Sequence, residues 1–552
     1  MLIWNLKYCK ILKMKNKKIK KLKKFTISSS KIVEKRNIIS FLEEAIRPGN
    51  KVCIEGCNQK QADFLAKALC DVSPSKVRNI HIIQSAVVLP EHLDIFEKGI
   101  ASKLDFAFSG PQAKRLYKLV SERKIKIGSI HTYVELYARY FSDLKPDVAL
   151  VVADFADRYG NLYTGYNTED TPVIAEATSF GGGIVIAQVK KVLDKLPRVD
   201  IPGDWIDFVI PTEENYYIKP LFTRDPAKIT NLQIFLGMLL IKGIYEKYKV
   251  ESVNHGVGYN ACAVELILPT FGKHLKGKVC KYWALNPHPT LIPAIEEGFV
   301  KRIFPFGGEP GMEDYVNAHP EIFPIGNDGS MRSNRVFAQL LGLYGIDCFV
   351  GSTLQIDKFG NSSTAINGMI SGFGGAPNLG STPPGRRHSS FAWNKVLREN
   401  KRSRKEVRIK RGRKLVIQMT PTRSEKKNIP VFVEELDAFS LYRSGYFEQP
   451  PVMIYGDEIT HIITEKGIAN FLRCSNLKER MLAVSAVAGD TEVGKRISPE
   501  EIEKLRKKGI YIPPEDLGLN FKDATRDLLA AKNFEELVHW SKGLYKVPKE
   551  FL

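Results

Sequence analysis

The sequence predicts a doubled α/β protein: two duplicated domains, each an open, mostly parallel sheet flanked by helices, ending in a helical C-terminal tail. Three observations predict it. Residues 147–161 read DVALVVADFADRYGN and residues 347–361 read DCFVGSTLQIDKFGN, aligning Asp147 with Asp347, Asp157 with Asp357, Gly160 with Gly360 and Asn161 with Asn361. Residues 51–69 (KVCIEGCNQKQADFLAKAL) and 251–268 (ESVNHGVGYNACAVELIL) keep the same 200-residue offset, each reading strand, glycine turn, helix. Two echoes at one offset imply duplication. The third observation is the alternation of helical and strand-like patterns from about residue 39 onward, the mark of parallel α/β layers. A looser echo pairs Phe180-Gly-Gly-Gly183 with Phe373-Gly-Gly-Ala376.

In chain order, residues 41–46 read as helix, 51–56 as strand, 60–72 as helix and 78–89 as a buried strand. Strands follow at 104–110 and 124–130, each closed by glycine or serine. Residues 147–157 are almost continuously apolar, as expected of a strand covered on both faces by helices. The second half repeats the scheme with a helix at 230–248, a strand at 250–256, a helix at 260–270 and a strand at 278–284. A glycine-rich run occupies 351–385, a basic connector 386–414 and a strand 414–419. Residues 460–472 read as a strand–helix pair, and 522–540 as an amphipathic helix that docks on the body or on a partner. The expected division is a disordered basic leader (1–40), a first domain (41–225) and a second (226–552). The second includes the basic loop 386–414 and the helical tail 500–552. A ligand site is expected at the seam, since sites favour domain interfaces.

The net charge of +21 suggests nucleic acid until it is located. Residues 1–40 carry 13 Lys/Arg against one acid, and residues 401–414 carry nine against one, which leaves +1 for everything else. A near-neutral body excludes nucleic-acid binding as the main role. The leader has no continuous apolar core for a signal peptide. It reads as a solvated lysine tail, or as a start placed upstream of Met14, in preference to a membrane arm. No stretch approaches the roughly 18 apolar residues of a membrane span. Eight cysteines without a C-x-x-C pair fit free thiols in a reducing cytoplasm. Cys53 and Cys57 read as packing residues, and no metal site is expected.

The turn His255-Gly256-Val257-Gly258-Tyr259-Asn260-Ala261 matches G-x-G-x-x-A, but the following segment GKHLKGKVCKYW lacks the acid that holds a ribose. Dinucleotide binding is therefore rejected. What survives is a set of backbone N–H groups at a positive helix end, suited to an oxyanion. A tight strand–helix connection without function is the alternative. Glu309, in Phe306-Gly-Gly-Glu-Pro-Gly-Met312, is flanked by glycines that let a partner approach, and Pro310 holds it extended. Such a carboxylate can attack an activated carbonyl. Gly372–Asn378 lets backbone approach a ligand closely. Asn286-Pro-His-Pro289 could place His288 near a site, but a lone histidine is more often structural, and it stays outside the catalytic set.

Taken together, these segments resemble the family I CoA-transferases. The resemblance rests on Gly256–Gly258, Glu309, Gln355-Ile-Asp357 with Gly360-Asn361, Gly372–Asn378 and HIITEKGIAN (461–470), in the family order. Within that family the chain is similar to the alpha-subunit branch of the malonate decarboxylases. The stretches 55–69, 89–100, 161–172, 283–300 and 328–335 carry that likeness, and it runs from about residue 40 to the C-terminus. The resemblance implies a transferase that exchanges acetyl for malonyl on an acyl-carrier thiol, releasing acetate. It assigns Glu309, Val257 and Gly258 to catalysis, and Gly256, Asn260, Gln355, Gly374, Gly375 and Asn378 to substrate or carrier binding. It implies a phosphopantetheine-type, dephospho-CoA-derived thiol on a partner acyl carrier protein, no cofactor bound covalently to this chain, and companion decarboxylase subunits. Many members carry Glu-Asn-Gly or Glu-Met where this chain has Glu-Pro-Gly. Covalent catalysis by Glu309 and direct attack by malonate therefore both stay open. The rivals are a stand-alone transferase using free CoA and a non-enzymatic ligand binder of the same fold.

Overall fold

The computed structural model describes residues 13–57, 60–323, 334–383, 390–399 and 412–552. Most of the basic loop, at 401–411, lies outside the described residues, as do residues 1–12 of the leader and 328–333 of the DGSMRSNR stretch.

Both halves are doubly wound. The first sheet runs in the order Lys126–Ile130, Ala101–Phe108, Ile80–Ala86, Lys51–Ile54, Val148–Asp157, Ile184–Leu193 and Phe208–Pro211, all parallel. The second runs Arg302–Phe304, Tyr282–Ala284, Ser252–His255, Cys348–Gly351, Leu415–Met419 and His461–Thr464, again parallel. In each, the chain starts mid-sheet, winds to one edge, then returns beside its first strand and winds the other way. The strands Lys51–Ile54 and Ser252–His255 hold the same place, as do Val148–Asp157 and Cys348–Gly351. The helices Asp63–Cys70 and Tyr259–Ile267 follow the two turns.

The echo holds at the level of single hydrogen bonds. Asp157 Oδ1 accepts the N–H groups of Tyr159 (2.9 Å) and Asn161 (3.0 Å), and Asp357 Oδ1 accepts those of Phe359 (2.9 Å) and Asn361 (2.9 Å). Gly160 and Gly360 both sit at φ +85°, a conformation glycine adopts without Cβ strain. The looser pairing of Phe180–Gly183 with Phe373–Ala376 fails, because the first ends a helix before a strand and the second lies along the other half.

Three expectations need correcting. Residues 460–472 form an antiparallel hairpin, His461–Thr464 with Gly467–Asn470, where a strand–helix pair was expected. The reversal is made at Glu465-Lys466, Gly467 at φ +128° opens the return strand, and Ile462, Ile463, Ile468 and Ala469 bury on both faces of the sheet. The segment 522–540 is α-helical only over Phe534–Trp540, with short 3₁₀ turns at Phe521–Asp523 and Arg526–Leu528. Tertiary anchors override its helical pattern: Arg526 donates to the carbonyls of Pro226, Ala227 and Ile229, Ala530 N–H pairs with Leu266 C=O, and Asn533 caps a new helix. With Pro499–Lys507 these elements make up the helical C-terminal region.

The leader is the third correction. Residues 13–22 form a helix, Leu22 is 0% exposed within the first core, and Lys15 pairs with Asp207 at 3.0 Å. Further on, Val33 N–H donates to Val209 C=O and Val209 N–H to Lys31 C=O, both at 2.9 Å. The lysine-rich residues expected to be disordered therefore cover the edge strand Phe208–Pro211, whose open hydrogen-bonding row would otherwise invite aggregation. Lys414, at the end of the basic loop, is buried and donates to the carbonyls of Gly342 and Leu379. No helix among the described residues is long and apolar enough to cross a membrane.

Leu22→Ala should lower unfolding free energy by about 2–5 kcal/mol in urea titrations, the usual loss for a buried leucine. A change below about 0.5 kcal/mol, the range of neutral surface substitutions, would show that the leader is not part of the core.

Asp105 accepts from His81 Nε2 (2.6 Å) and His131 Nε2 (2.8 Å), with Glu135 and Arg139 also facing His131. Burial alone would raise the Asp105 carboxyl, but the two imidazoles hold it far below its ordinary 3.8. Burial would lower His131, but Asp105 and Glu135 raise it above 6.5. The His131 contribution to stability is complete below about pH 6.5 and fades as pH rises through its raised folded value. The Asp105 contribution is present above about 3.8 and fades as pH falls. The difference in denaturation midpoint between wild type and Asp105→Asn should thus be greatest between about pH 4 and 6.5 and shrink on either side.

Candidate active site at the seam between the two halves

The glycine-rich segment does not float over the second sheet. It lies along the end of strand Ala101–Phe108 in the first half. Ser109 N–H donates to Ser371 C=O (2.9 Å), and Phe373 and Gly374 N–H both donate to Ala107 C=O (2.6 and 2.9 Å). Gly372, at φ +72°, would place a Cβ 2.5 Å from the Ala107 carbonyl oxygen, so only glycine fits. A second clamp is Arg335, from helix Arg335–Tyr344, which inserts fully buried into the first half. It pairs with Glu169, faces Asp170 Oδ1 at 3.3 Å and stacks over Tyr133. Cys57, Glu169 and Asp170 bring possible ligand atoms within 4.8 Å of one another, but the Arg335 guanidinium already balances the two carboxylates.

Between these clamps lies a cavity of about 430 Å³ with walls from both halves. The first half supplies Phe108, Gly110, Pro111 and Tyr133, the connector supplies Leu221, Phe222 and Arg224, and the second half supplies the rest. Its floor is the carboxyl end of Ser252–His255 and Cys348–Gly351, the strands where the winding reverses and where open α/β sheets bind ligands. Gly256 and Val257 line it, and Gly256 N–H is fixed to Val350 C=O at 2.7 Å. Gly258, at φ +134°, turns the chain into helix Tyr259–Ile267, whose first N–H groups have no acceptor within the helix.

Beneath the turn lies a buried acid shared by two imidazoles. Glu265 Oε1 is 3.1 Å from both His255 Nδ1 and His288 Nδ1, and its other oxygen accepts from the Thr290 hydroxyl. His255 Nε2 meets the Tyr245 hydroxyl at 2.5 Å. Burial would raise the Glu265 carboxyl, but the charge and hydrogen bonds of His288 and His255 hold it at about 2. His288 lines the cavity, its ring stacked on Phe222 at 5.0 Å.

Glu309 is elsewhere. It lines a second cavity of about 370 Å³ with Asp154, Asn167, Lys190 and Tyr216 of the first half. Its Oε1 accepts from Phe222 N–H (3.1 Å), Thr223 N–H (2.7 Å) and the Thr223 hydroxyl (2.8 Å). The loop is pinned on both sides. Asn167 Oδ1 accepts Gly308 N–H at 2.6 Å, and Gly311 C=O accepts Lys546 N–H at 2.9 Å. Burial pushes the Glu309 carboxyl up to about 8, only partly offset by Thr223 and Phe222.

The residues expected to act together are thus divided. Gly256, Val257, Gly374 and Gly375 line the seam cavity, and Gly258 shapes its turn. Asn260 buttresses it, donating to Met419 C=O (3.2 Å) and toward the Ser352 hydroxyl (3.4 Å). Glu309 stands behind a wall made by Phe222–Arg224 and residues 286–288. Two of the expected binding residues lie apart from the cavity. The side chain of Gln355 accepts Asp437 N–H, and that of Asn378 donates to Gln339, so both hold loops together and neither lines the seam cavity. His288, read from the sequence as structural, lines it, as do Asn254 and Arg224, which no motif in the sequence marks.

A doubled, doubly wound chain with a glycine turn at the reversal of its second sheet has the architecture of the CoA-transferases. Its fold is similar to that of an Escherichia coli acyl-CoA transferase at a TM-score of 0.52, with 16% identity over 81% of this chain and 89% of that one. The likeness narrows sharply in sequence. The family described as "Malonate decarboxylase, alpha subunit, transporter" matches residues 7–552, and the chain belongs to it. The match reaches into the leader, further than the resemblance from residue 40 had suggested. A Malonomonas rubra protein named acetyl-S-ACP:malonate ACP transferase is 53% identical over 95% of both chains. A chain of a Pseudomonas malonate decarboxylase hetero-tetramer, solved in complex with malonate, superposes with a TM-score of 0.95 at 48% identity, over 99% of each chain.

Gly372→Ala should destabilise the protein by about 1–3 kcal/mol through backbone strain alone, with a further loss from the clash at Ala107. Thermal unfolding should show the two halves losing cooperativity. An unchanged melting temperature would remove Gly372 from the seam.

Proposed function

We propose that this chain exchanges acetyl for malonyl on the thiol of an acyl carrier protein, yielding malonyl-carrier and acetate, as the transferase subunit of a malonate-decarboxylating complex. The observation that carries this is the end-to-end match to a relative named for that reaction. The seam cavity suits it, being apolar enough for an acyl thioester and lined by Gly256 and Val257 of the turn that leads into a helix start, where an N–H would stabilise an oxyanion. The thiol is a phosphopantetheine-type, dephospho-CoA-derived group on the carrier, and no cofactor is attached to this chain. The companion partners are the carrier and decarboxylase subunits. Six of the seven described cysteines are buried and all seven are free thiols, which fits the reducing cytoplasm.

Of the two routes left open, the geometry favours direct attack by malonate. A Glu309 carboxyl held by three donors and pushed up to about 8 is largely neutral at pH 7 and a poor nucleophile. Glu309 then ties the connector strap to the second half, setting the wall of the seam cavity.

Purified chain given acetyl-carrier and labelled malonate should form labelled malonyl-carrier and acetate in equal amounts. Exchange with acetyl-CoA but not with acetyl-carrier would favour the stand-alone transferase, and exchange with neither would overturn the reading. Glu309→Gln should slow exchange by at most about 10²–10³-fold, the scale of lost positioning or one electrostatic contact. A loss nearer 10⁴-fold or beyond, with a borohydride-trapped adduct on Glu309 in the wild type, would instead establish covalent catalysis.

A further inference from the structure

His288 has an arrangement that its bland sequence context does not announce. Its side chain is 3% exposed, its Nδ1 is held 3.1 Å from the Glu265 carboxylate, and its Nε2 has no hydrogen-bond partner. The residue lines the seam cavity, and the vacant nitrogen is buried just within that wall. The tautomers follow from the shared acid. Glu265 Oε1 is an acceptor for both imidazoles, so each carries its proton on Nδ1. His255 then completes its bonding by accepting from Tyr245 through Nε2. His288 alone of the pair keeps an uncommitted nitrogen. A buried polar atom without a partner costs free energy, and it persists where a ligand supplies the missing bond. A carboxylate behind the imidazole both fixes its orientation and stabilises the imidazolium. Asn254 Oδ1, on the same wall, is likewise buried without a partner, which marks this side of the cavity as built for a polar group.

We propose that His288, positioned by Glu265, is a catalytic residue that lends and recovers the proton of the carrier sulfur during acyl exchange. This rests on the transferase reading above. A malonate oxygen attacks the thioester carbon, forming a C–O bond while the carbonyl pair moves to oxygen. His288 enters the cycle as the imidazolium, its Nδ1–H on Glu265 and its Nε2 protonated from solvent. Collapse breaks the C–S bond, the pair leaves on sulfur, and Nε2–H transfers its proton, giving a thiol and an imidazole that keeps Nδ1–H. His288 then takes that proton back as sulfur attacks the malonyl carbonyl of the mixed anhydride. Acetate departs with the C–O pair. Atoms and charge balance, and His288 ends as it began.

Two variants separate the role from packing. His288→Asn keeps a donor for Glu265 but loses the nitrogen that faces the cavity, and His288→Gln reaches the Nε2 position without being able to shuttle a proton. With acetyl-carrier and malonate, kcat should fall about 10²–10⁴-fold in both, with KM for malonate within about threefold. With an acetyl aryl thioester, whose thiolate leaves without protonation, the deficit in release of the first thiol should shrink to within about tenfold. Should His288→Asn fail to fold, His288→Gln carries the test alone. Full activity of the folded variants on acetyl-carrier, or an equal deficit on both donors, would overturn the proposal while leaving the transferase reading intact. A wild type that exchanges nothing would overturn both.

Discussion

The seam contacts hold the rest of the structure in place. Three backbone hydrogen bonds join Ala107 and Ser109 to the 371–374 segment, and Arg335 is sunk between Glu169 and Asp170. Neither half could bury these groups alone. Arg335 without its carboxylates would be an unpaired buried charge, and breaking such a pair typically costs about 3–5 kcal/mol. The same contacts set the distance between Phe108, Tyr133 and the glycine turn, so the cavity exists only because the halves are locked. Connector residues Phe222 and Thr223 extend the lock by tying themselves to Glu309.

Duplication gave the chain two strand-reversal crevices, and they have diverged in opposite directions. In the first half Glu55 occupies the position of Gly256, its N–H donating to Leu150 C=O as that of Gly256 donates to Val350 C=O. It accepts Val152 N–H at 2.8 Å, is 3.4 Å from Lys60 Nζ and takes the Thr171 hydroxyl, all fully buried. That crevice is filled by its own side chains, and its ion pair acts as a structural plug. In the second half the turn from strand to helix is shorter, His255 to Tyr259 against Ile54 to Asp63, and the space beside it stays open. One copy supplies rigidity and the other the site.

The first five strands of the first half, the two glycine turns and the repeated Asp-x-x-Gly-Asn spacing were legible because each depends on local pattern, whereas the strands Ile184–Leu193, Phe208–Pro211 and Arg302–Phe304 were not read. Asp157 and Asp357 need only residues two and four positions on to complete their loops. The hairpin at 460–472 was misread because Glu-Lys-Gly resembles a helix start when its cross-strand partner is unseen. The leader was misread for a related reason. Lysine-rich composition argues for disorder, but Leu22 and Val33 find a core, and residues 31–33 find an open edge strand, some 180 residues away.

The sequence by itself determined the α/β class, the duplication, the seam as the place to look and, through resemblance, the family. These are carried by periodicity and repeated motifs, which survive without coordinates. Only the tertiary structure decided which of the two equivalent crevices is open and that Glu309 lies behind the strap rather than beside the glycine turn. It also joined His288, Glu265 and His255 around one carboxylate. That triangle spans residues 255 to 288 on a strand end, a helix and a loop. Because no local pattern links three such elements, their meeting is a property of packing alone.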